Sequence, residues 1–249
     1  MLPLQGKERE DYGLEGGVCM NLYVIITVAV LAAPLALSFD KRVAFYKHWK
    51  QLFISMVPVS AFYILWDILV TERGDWSFNP AYAGSWHLFG LPLGEWLFFI
   101  VVPYACLFIF EVVKAYFPHK SYDNRKVVTQ VSMITIVLCI VFSVVFRAQE
   151  YTLLALLSVA LWLLFAMLFT PWILQQIHTL WFFILSIIAF LIVNGVLTYL
   201  PIVEYNPQAI WGIRIVSIPL EDLFYNIGML GLFLVSYEIV GRYLHRRAQ

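Results

Sequence analysis

The chain has 249 residues, of which 62% are hydrophobic, 17% aromatic and only 13% charged, with a mean hydropathy of +0.81. A soluble domain carries about 25% charged residues, so this composition describes a polytopic membrane protein. A net charge of +0 and a pI near 7.0 exclude an electrostatic binder of nucleic acid.

In chain order, residues 1–19 are polar and glycine-containing and lack the apolar centre of a signal peptide. They are expected to form a disordered tail ahead of a single membrane domain, residues 20–249. Seven apolar segments follow, approximately 20–38, 51–70, 93–115, 127–147, 150–170, 178–199 and 220–241. Each is near the ~20 residues that a spanning helix needs, which predicts an all-α protein of seven transmembrane helices. Segments four and five are separated only by Arg147-Ala148-Gln149-Glu150, a tight hairpin. Lys41, Arg42, Lys47, Lys50, Lys114, Lys120, Arg125, Lys126, Arg242, Arg246 and Arg247 fall on one side, 11 of the 16 cations. The positive-inside rule makes that side cytoplasmic, with the N-terminus outside and the C-terminus inside.

Sliding the chain by 127 residues places Asn79-Pro80 on Asn206-Pro207, Pro92-Leu93 on Pro219-Leu220, Glu95 on Asp222, Glu111 on Glu238 and Asp67 on Asn194. The reading is a parallel three-helix repeat, with halves near 20–125 and 148–241 joined by a linker helix at 127–147. Pro92 and Pro219 each precede a carboxylate and an aromatic run, a pattern for the start of a buried helix with acid in its first turn.

Asp67, Glu95, Glu221 and Asp222 should lie near one depth. Carboxyls at the edge of hydrocarbon are costly and read as functional. Where several share an apolar site, at least one is expected to hold a proton and to serve as a general acid. The competing expectation is helix capping and pairing with Arg73 or Arg214. Glu111 and Glu238 are 16 residues further along their helices, roughly 24 Å away, and belong to the opposite ends. Trp66, Trp96, Phe98, Phe99, Phe224 and Tyr225 offer ring faces that attract cations, although such residues more often pack. The loops near 71–91 and 199–217 are rich in aromatics and prolines, including Trp76, Phe78, Tyr205 and Trp211. They read equally as an interfacial belt or as a lid. No dinucleotide or phosphate-loop motif is present, the histidines are scattered, and Cys19, Cys106 and Cys139 have no metal-ligand spacing. No metal and no cofactor are expected.

Pro92-Leu93-Gly94-Glu95-Trp96-Leu97-Phe98-Phe99 and Pro219-Leu220-Glu221-Asp222-Leu223-Phe224-Tyr225, with Trp66-Asp67, Asn79-Pro80 and Leu37-Ser38-Phe39-Asp40, resemble the flavin-independent membrane lycopene cyclases across residues 20–241. That family occurs as two-subunit enzymes and as fused chains, and its motif carries adjacent acids, where this chain has Gly94-Glu95 in the first copy and Glu221-Asp222 in the second. The resemblance implies redox-neutral, proton-initiated cyclisation of the acyclic ends of lycopene to β-rings, giving β-carotene or γ-carotene. It implies Glu221, Asp222, Glu95 and Asp67 as catalytic residues. Trp66, Trp96, Phe98, Phe99, Asn79, Asn206, Phe224 and Tyr225 would contact substrate. The expected partners are a carotenoid in the bilayer, membrane lipid, and a second copy of the chain or other carotenoid enzymes; the expected location is the inner membrane of a bacterium. Two alternatives stand beside it: a hydratase of carotenoid end groups, and a non-catalytic carotenoid-binding or transport protein.

Overall fold

The computed structural model describes residues 21–118, 120–121 and 124–248. The polar stretch 1–19, and Cys19 with it, lies outside the described residues. The fold is all-α: α1 (Leu22–Leu37), α2 (Trp49–Arg73), the short α3 (Pro80–Ala83), α4 (Leu93–Tyr116), α5 (Arg125–Val145), α6 (Glu150–Phe169), α7 (Ile177–Tyr199) and α8 (Leu220–Ala248). Among the described residues 6 helices are long and apolar enough to cross a membrane. Of the seven expected spans, the first is the exception. Asn21 caps α1 by accepting from the Val24 N–H, and the helix then runs for 16 residues, about 24 Å, short of the ~30 Å hydrocarbon core.

α4 and α8 are the most enclosed of the long helices, and α5 is among the most exposed. Their packing follows from small residues and repaired backbone. Pro103 lies inside α4 and removes the N–H that would bond the Phe99 carbonyl. Ser60 Oγ on α2 supplies the missing donor at 2.9 Å, as hydrocarbon requires. On α8, a Cβ at Gly228 would lie 2.0 Å from Ser158 Oγ and 2.7 Å from its backbone carbonyl carbon. Glycine there lets α8 lie against α6.

Each long loop contains a hairpin, and the two have matching registers. β2 (His87–Leu88) pairs with β3 (Leu91–Pro92), and β5 (Arg214–Ile215) with β6 (Ile218–Pro219), each antiparallel. The prolines therefore end a strand one residue ahead of α4 and α8. A third ribbon joins the loops to one another: β1 (Trp76–Phe78) pairs with β4 (Val203–Tyr205), with Trp76 opposite Tyr205, Ser77 opposite Glu204 and Phe78 opposite Val203.

Candidate functional site

Beneath the β1–β4 ribbon is a cavity of about 60 Å³. Alternation along a strand sends Trp76 and Phe78 inward, with Val203 and Tyr205 from the opposite strand, and leaves Ser77 and Glu204 exposed. The ribbon is a lid over the cavity. Trp86 and Tyr199 from the same loops face outward, at 53% and 75% exposure, as belt residues would.

Three carboxyls line the chamber: Asp67 near the end of α2, Glu95 in the first turn of α4 and Asp222 in the first turn of α8. All are buried. Their partners differ. Asp222 Oδ1 accepts from Tyr151 Oη at 2.6 Å, while Oδ2 accepts from Asn194 Nδ2 at 2.7 Å and from Tyr205 Oη at 2.8 Å. Donors thus occupy both of its oxygens, an arrangement suited to a carboxylate. Asp67 and Glu95 both line the chamber and interact with each other, and two carboxyls so placed are stabilised when one of them holds a proton. Tyr23 Oη donates to Glu95 Oε2 at 2.5 Å, and Asp67 Oδ2 has no donor among the described residues. Burial, and next the Asp222 carboxylate, raise the Tyr205 hydroxyl well above the ordinary tyrosine range, so this lid residue remains a donor.

Pairing of the acids with arginine is not what holds them. Arg73 pairs with Asp75 and with Glu150, and Arg214 donates to the Ser217 carbonyl. Glu111 lies apart from the chamber, bonded by Lys114 at 2.9 Å and by Tyr237 Oη at 3.0 Å. Glu238 accepts from Trp172 Nε1.

The remaining candidates divide into chamber and support. Phe98 and Tyr225 line the cavity, and Trp66 stands behind Tyr225, its ring 5.8 Å away. Glu221 points elsewhere: Oε1 accepts from Thr152 Oγ1 at 2.6 Å and from the Trp211 N–H at 2.5 Å. Its place in the first half is taken by Gly94, where a Cβ would lie 2.4 Å from the Tyr23 ring. Asn79 and Asn206 fold the loops, accepting from the N–H groups of Ala81 and Gln208. Trp96 donates to the Leu88 carbonyl, tying α4 to its hairpin. Phe99 is fully buried in the helix core, and Phe224 packs against two smaller clusters.

Sequence reasoning did not select Tyr23, Tyr151 or Phe190, and it used Asn194 only as a repeat match. Tyr23 and Tyr151 carried a signal, since they recur at an offset of 128, one residue out of the register that aligned everything else.

The family model described as lycopene cyclase matches residues 20–113 and again 148–240. The chain belongs to the lycopene cyclase family. Membership ties it to carotenoid chemistry and fits a lipophilic substrate in the membrane. No curated protein and no solved structure matches it. The doubled match covers the two segments that contribute the chamber carboxyls, Asp67 and Glu95 in one and Asp222 in the other.

Proposed function

We propose that the protein is a lycopene β-cyclase, closing the acyclic ends of lycopene into β-rings without net oxidation or reduction. The observation that carries this reading is the asymmetry of the acids: two neighbouring carboxyls with few donors, Asp67 and Glu95, line the same chamber as a carboxylate whose oxygens are both supplied with donors. The Asp67–Glu95 pair delivers its proton to the terminal alkene. The internal double bond attacks the tertiary cation and closes a six-membered ring. Asp222 removes a ring proton, and a double bond reforms within the ring. One proton enters and one leaves, so the product is an isomer. Trp76, Phe78, Phe98 and Tyr225 surround the cation with ring faces, which attract positive charge. The lid limits the entry of water, which would quench it. The sequence pattern favours Glu221 and Asp222, with Glu95 in support, as the proton source; the hydrogen bonds favour Asp67 with Glu95, leaving Glu221 to hold Thr152 and the Trp211 loop.

The architecture we propose is a seven-helix bundle of two parallel halves, related by an axis along the membrane normal. It is supported by the doubled family match and by hairpins whose registers repeat at 127 residues. The chamber is placed at the outer face and the C-terminus in the cytoplasm, from the Lys/Arg asymmetry.

Expression in lycopene-accumulating cells, followed by pigment chromatography and mass measurement, tests the function. Cyclisation leaves the mass unchanged. A product heavier by one water would favour the second reading, hydration, for which one observation speaks. The amide of Asn226 is buried without a partner among the described residues and lines the cleft next to the chamber, where a water could be held.

A further inference from the structure

Two apolar recesses flank the acid chamber, and they differ in how they reach it. A cleft of about 50 Å³ lies between α4 and α7, with Val30 of α1 and Asn226 of α8 in its wall. It shares Phe98, Phe190, Asn194 and Leu197 with the chamber, so the two spaces adjoin across those four side chains. Along α7 it extends from Asn194 to Ser186, about 12 Å at 1.5 Å per residue. Along α4 it reaches Ile109, 14 positions beyond Glu95, or about 21 Å. The second recess is wider, about 720 Å³, and opens between α2, α5 and α6. An aromatic wall separates it from the acids. Trp66 lines the recess and Tyr225 the chamber, their rings 5.8 Å apart. Tyr63 packs on both rings, and its hydroxyl is bonded to Ser158 Oγ at 2.6 Å.

We propose that the polyene chain of the substrate occupies the α4–α7 cleft while one end group sits among the acids, and that the larger α2–α5–α6 recess takes no part in binding it. This rests on the carotenoid reading of the chamber. A conjugated chain is a stiff apolar rod. It needs a long apolar slot beside the reacting carboxyls; the α4–α7 cleft shares wall residues with the chamber and the larger recess shares none. Small side chains at Ala105 and Ala189 keep the slot open.

The test is lycopene binding to the purified protein in lipid nanodiscs, read from the shift and induced dichroism of the polyene absorption, alongside turnover. Ala189→Trp should weaken binding and kcat/KM at least about tenfold, the equivalent of 1.4 kcal/mol. Leu164→Trp and Ile140→Trp, which fill the other recess, should change neither. A short acyclic terpenoid that carries the same terminal alkene and ends before Ala189 should bind the Ala189→Trp protein as it binds the wild type, which separates a blocked slot from a misfolded protein. Asn226→Leu removes an amide that an apolar chain leaves unpaired, so lycopene should bind more tightly. Unchanged binding in Ala189→Trp, loss of binding in Leu164→Trp, or weaker binding in Asn226→Leu would each overturn the assignment. If the wild type binds lycopene, Ala189→Trp abolishes that binding and no cyclic product forms with either, the slot stands and the cyclase reading falls.

Discussion

The chemistry turns on which carboxyl meets which donor. Glu95→Gln and Asp67→Asn keep size and much of the hydrogen bonding but remove the shared proton, and loss of general acid catalysis costs about 10²–10⁴-fold in rate. Lycopene should accumulate in cells that express either variant, with membrane insertion unchanged. Asp222→Asn should fail at the later step, since an amide cannot take the ring proton. Glu111→Gln is the control. Its side chain bonds Lys114 and Tyr237 away from the chamber, so turnover should stay near wild type. Turnover lost in Glu111→Gln but kept in Glu95→Gln, Asp67→Asn and Asp222→Asn would move the site to the other face. Tyr205→Phe should lower kcat without a pH shift of its own, because the hydroxyl it removes lies far above its usual titration range. A stability prediction lies outside the site. Val216 has φ +59° and 91% exposure at a hairpin tip, a left-handed backbone that a β-branched residue adopts only with strain. Val216→Gly should raise the thermal midpoint in detergent by relieving about 1 kcal/mol.

Helices were the legible elements, because about twenty apolar residues in a row leave little choice in a bilayer. The predicted segments 150–170 and 178–199 became Glu150–Phe169 and Ile177–Tyr199. The hairpin before Glu150 formed where a four-residue polar break foretold it. The strands were not legible. Runs of two or three residues cannot express a period of two, and Trp76 and Tyr205 pair across a sequence separation that no local pattern encodes. The lid followed from that pairing, so belt and lid could not be told apart beforehand. The acids were found by their cost in hydrocarbon. Their roles were not, since these depend on tyrosines contributed by other helices, Tyr23 for Glu95 and Tyr151 for Asp222. Packing between elements gives its own test. Gly228→Leu would drive a side chain into Ser158, whose hydroxyl holds Tyr63. Overpacking of this kind costs about 1–3 kcal/mol. It should lower the thermal midpoint and loosen the wall between chamber and outer recess, whereas Gly228→Ala should do so less.

At the scale of the molecule, neither half owns the site. Asp67, Glu95 and Tyr23 come from the first segment matched by the family and Asp222, Asn194, Tyr151 and Tyr205 from the second. The halves are also held across their boundary: β1 pairs with β4, Tyr63 bonds Ser158, Gln51 Nε2 donates to the Tyr237 carbonyl, and Ser236 Oγ to the Ser55 carbonyl. Such contacts need two surfaces to meet and do not need the chain to be continuous between them. Cutting the chain in the turn 146–149, between α5 and α6, breaks none of them. We therefore expect residues 1–147 and 148–249, expressed as separate chains in one cell, to insert, to co-purify and to restore cyclisation. Either chain alone should be inactive, the first lacking the carboxylate that takes the proton and the second lacking the pair that gives it. A C-terminal reporter on each chain reads orientation in the same experiment. Three spans, α2, α4 and α5, separate the Lys/Arg-rich loop before α2 from the cut end, so that end is outer whether or not the short α1 crosses. Four spans place the end after α5 on the outer side with the N-terminus, and the reporter at Gln249 then falls in the cytoplasm. A cytoplasmic reporter on the first chain would overturn the cytoplasmic placement of the loop before α2, and an active second chain expressed by itself would refute the assignment of proton donor and acceptor to opposite halves.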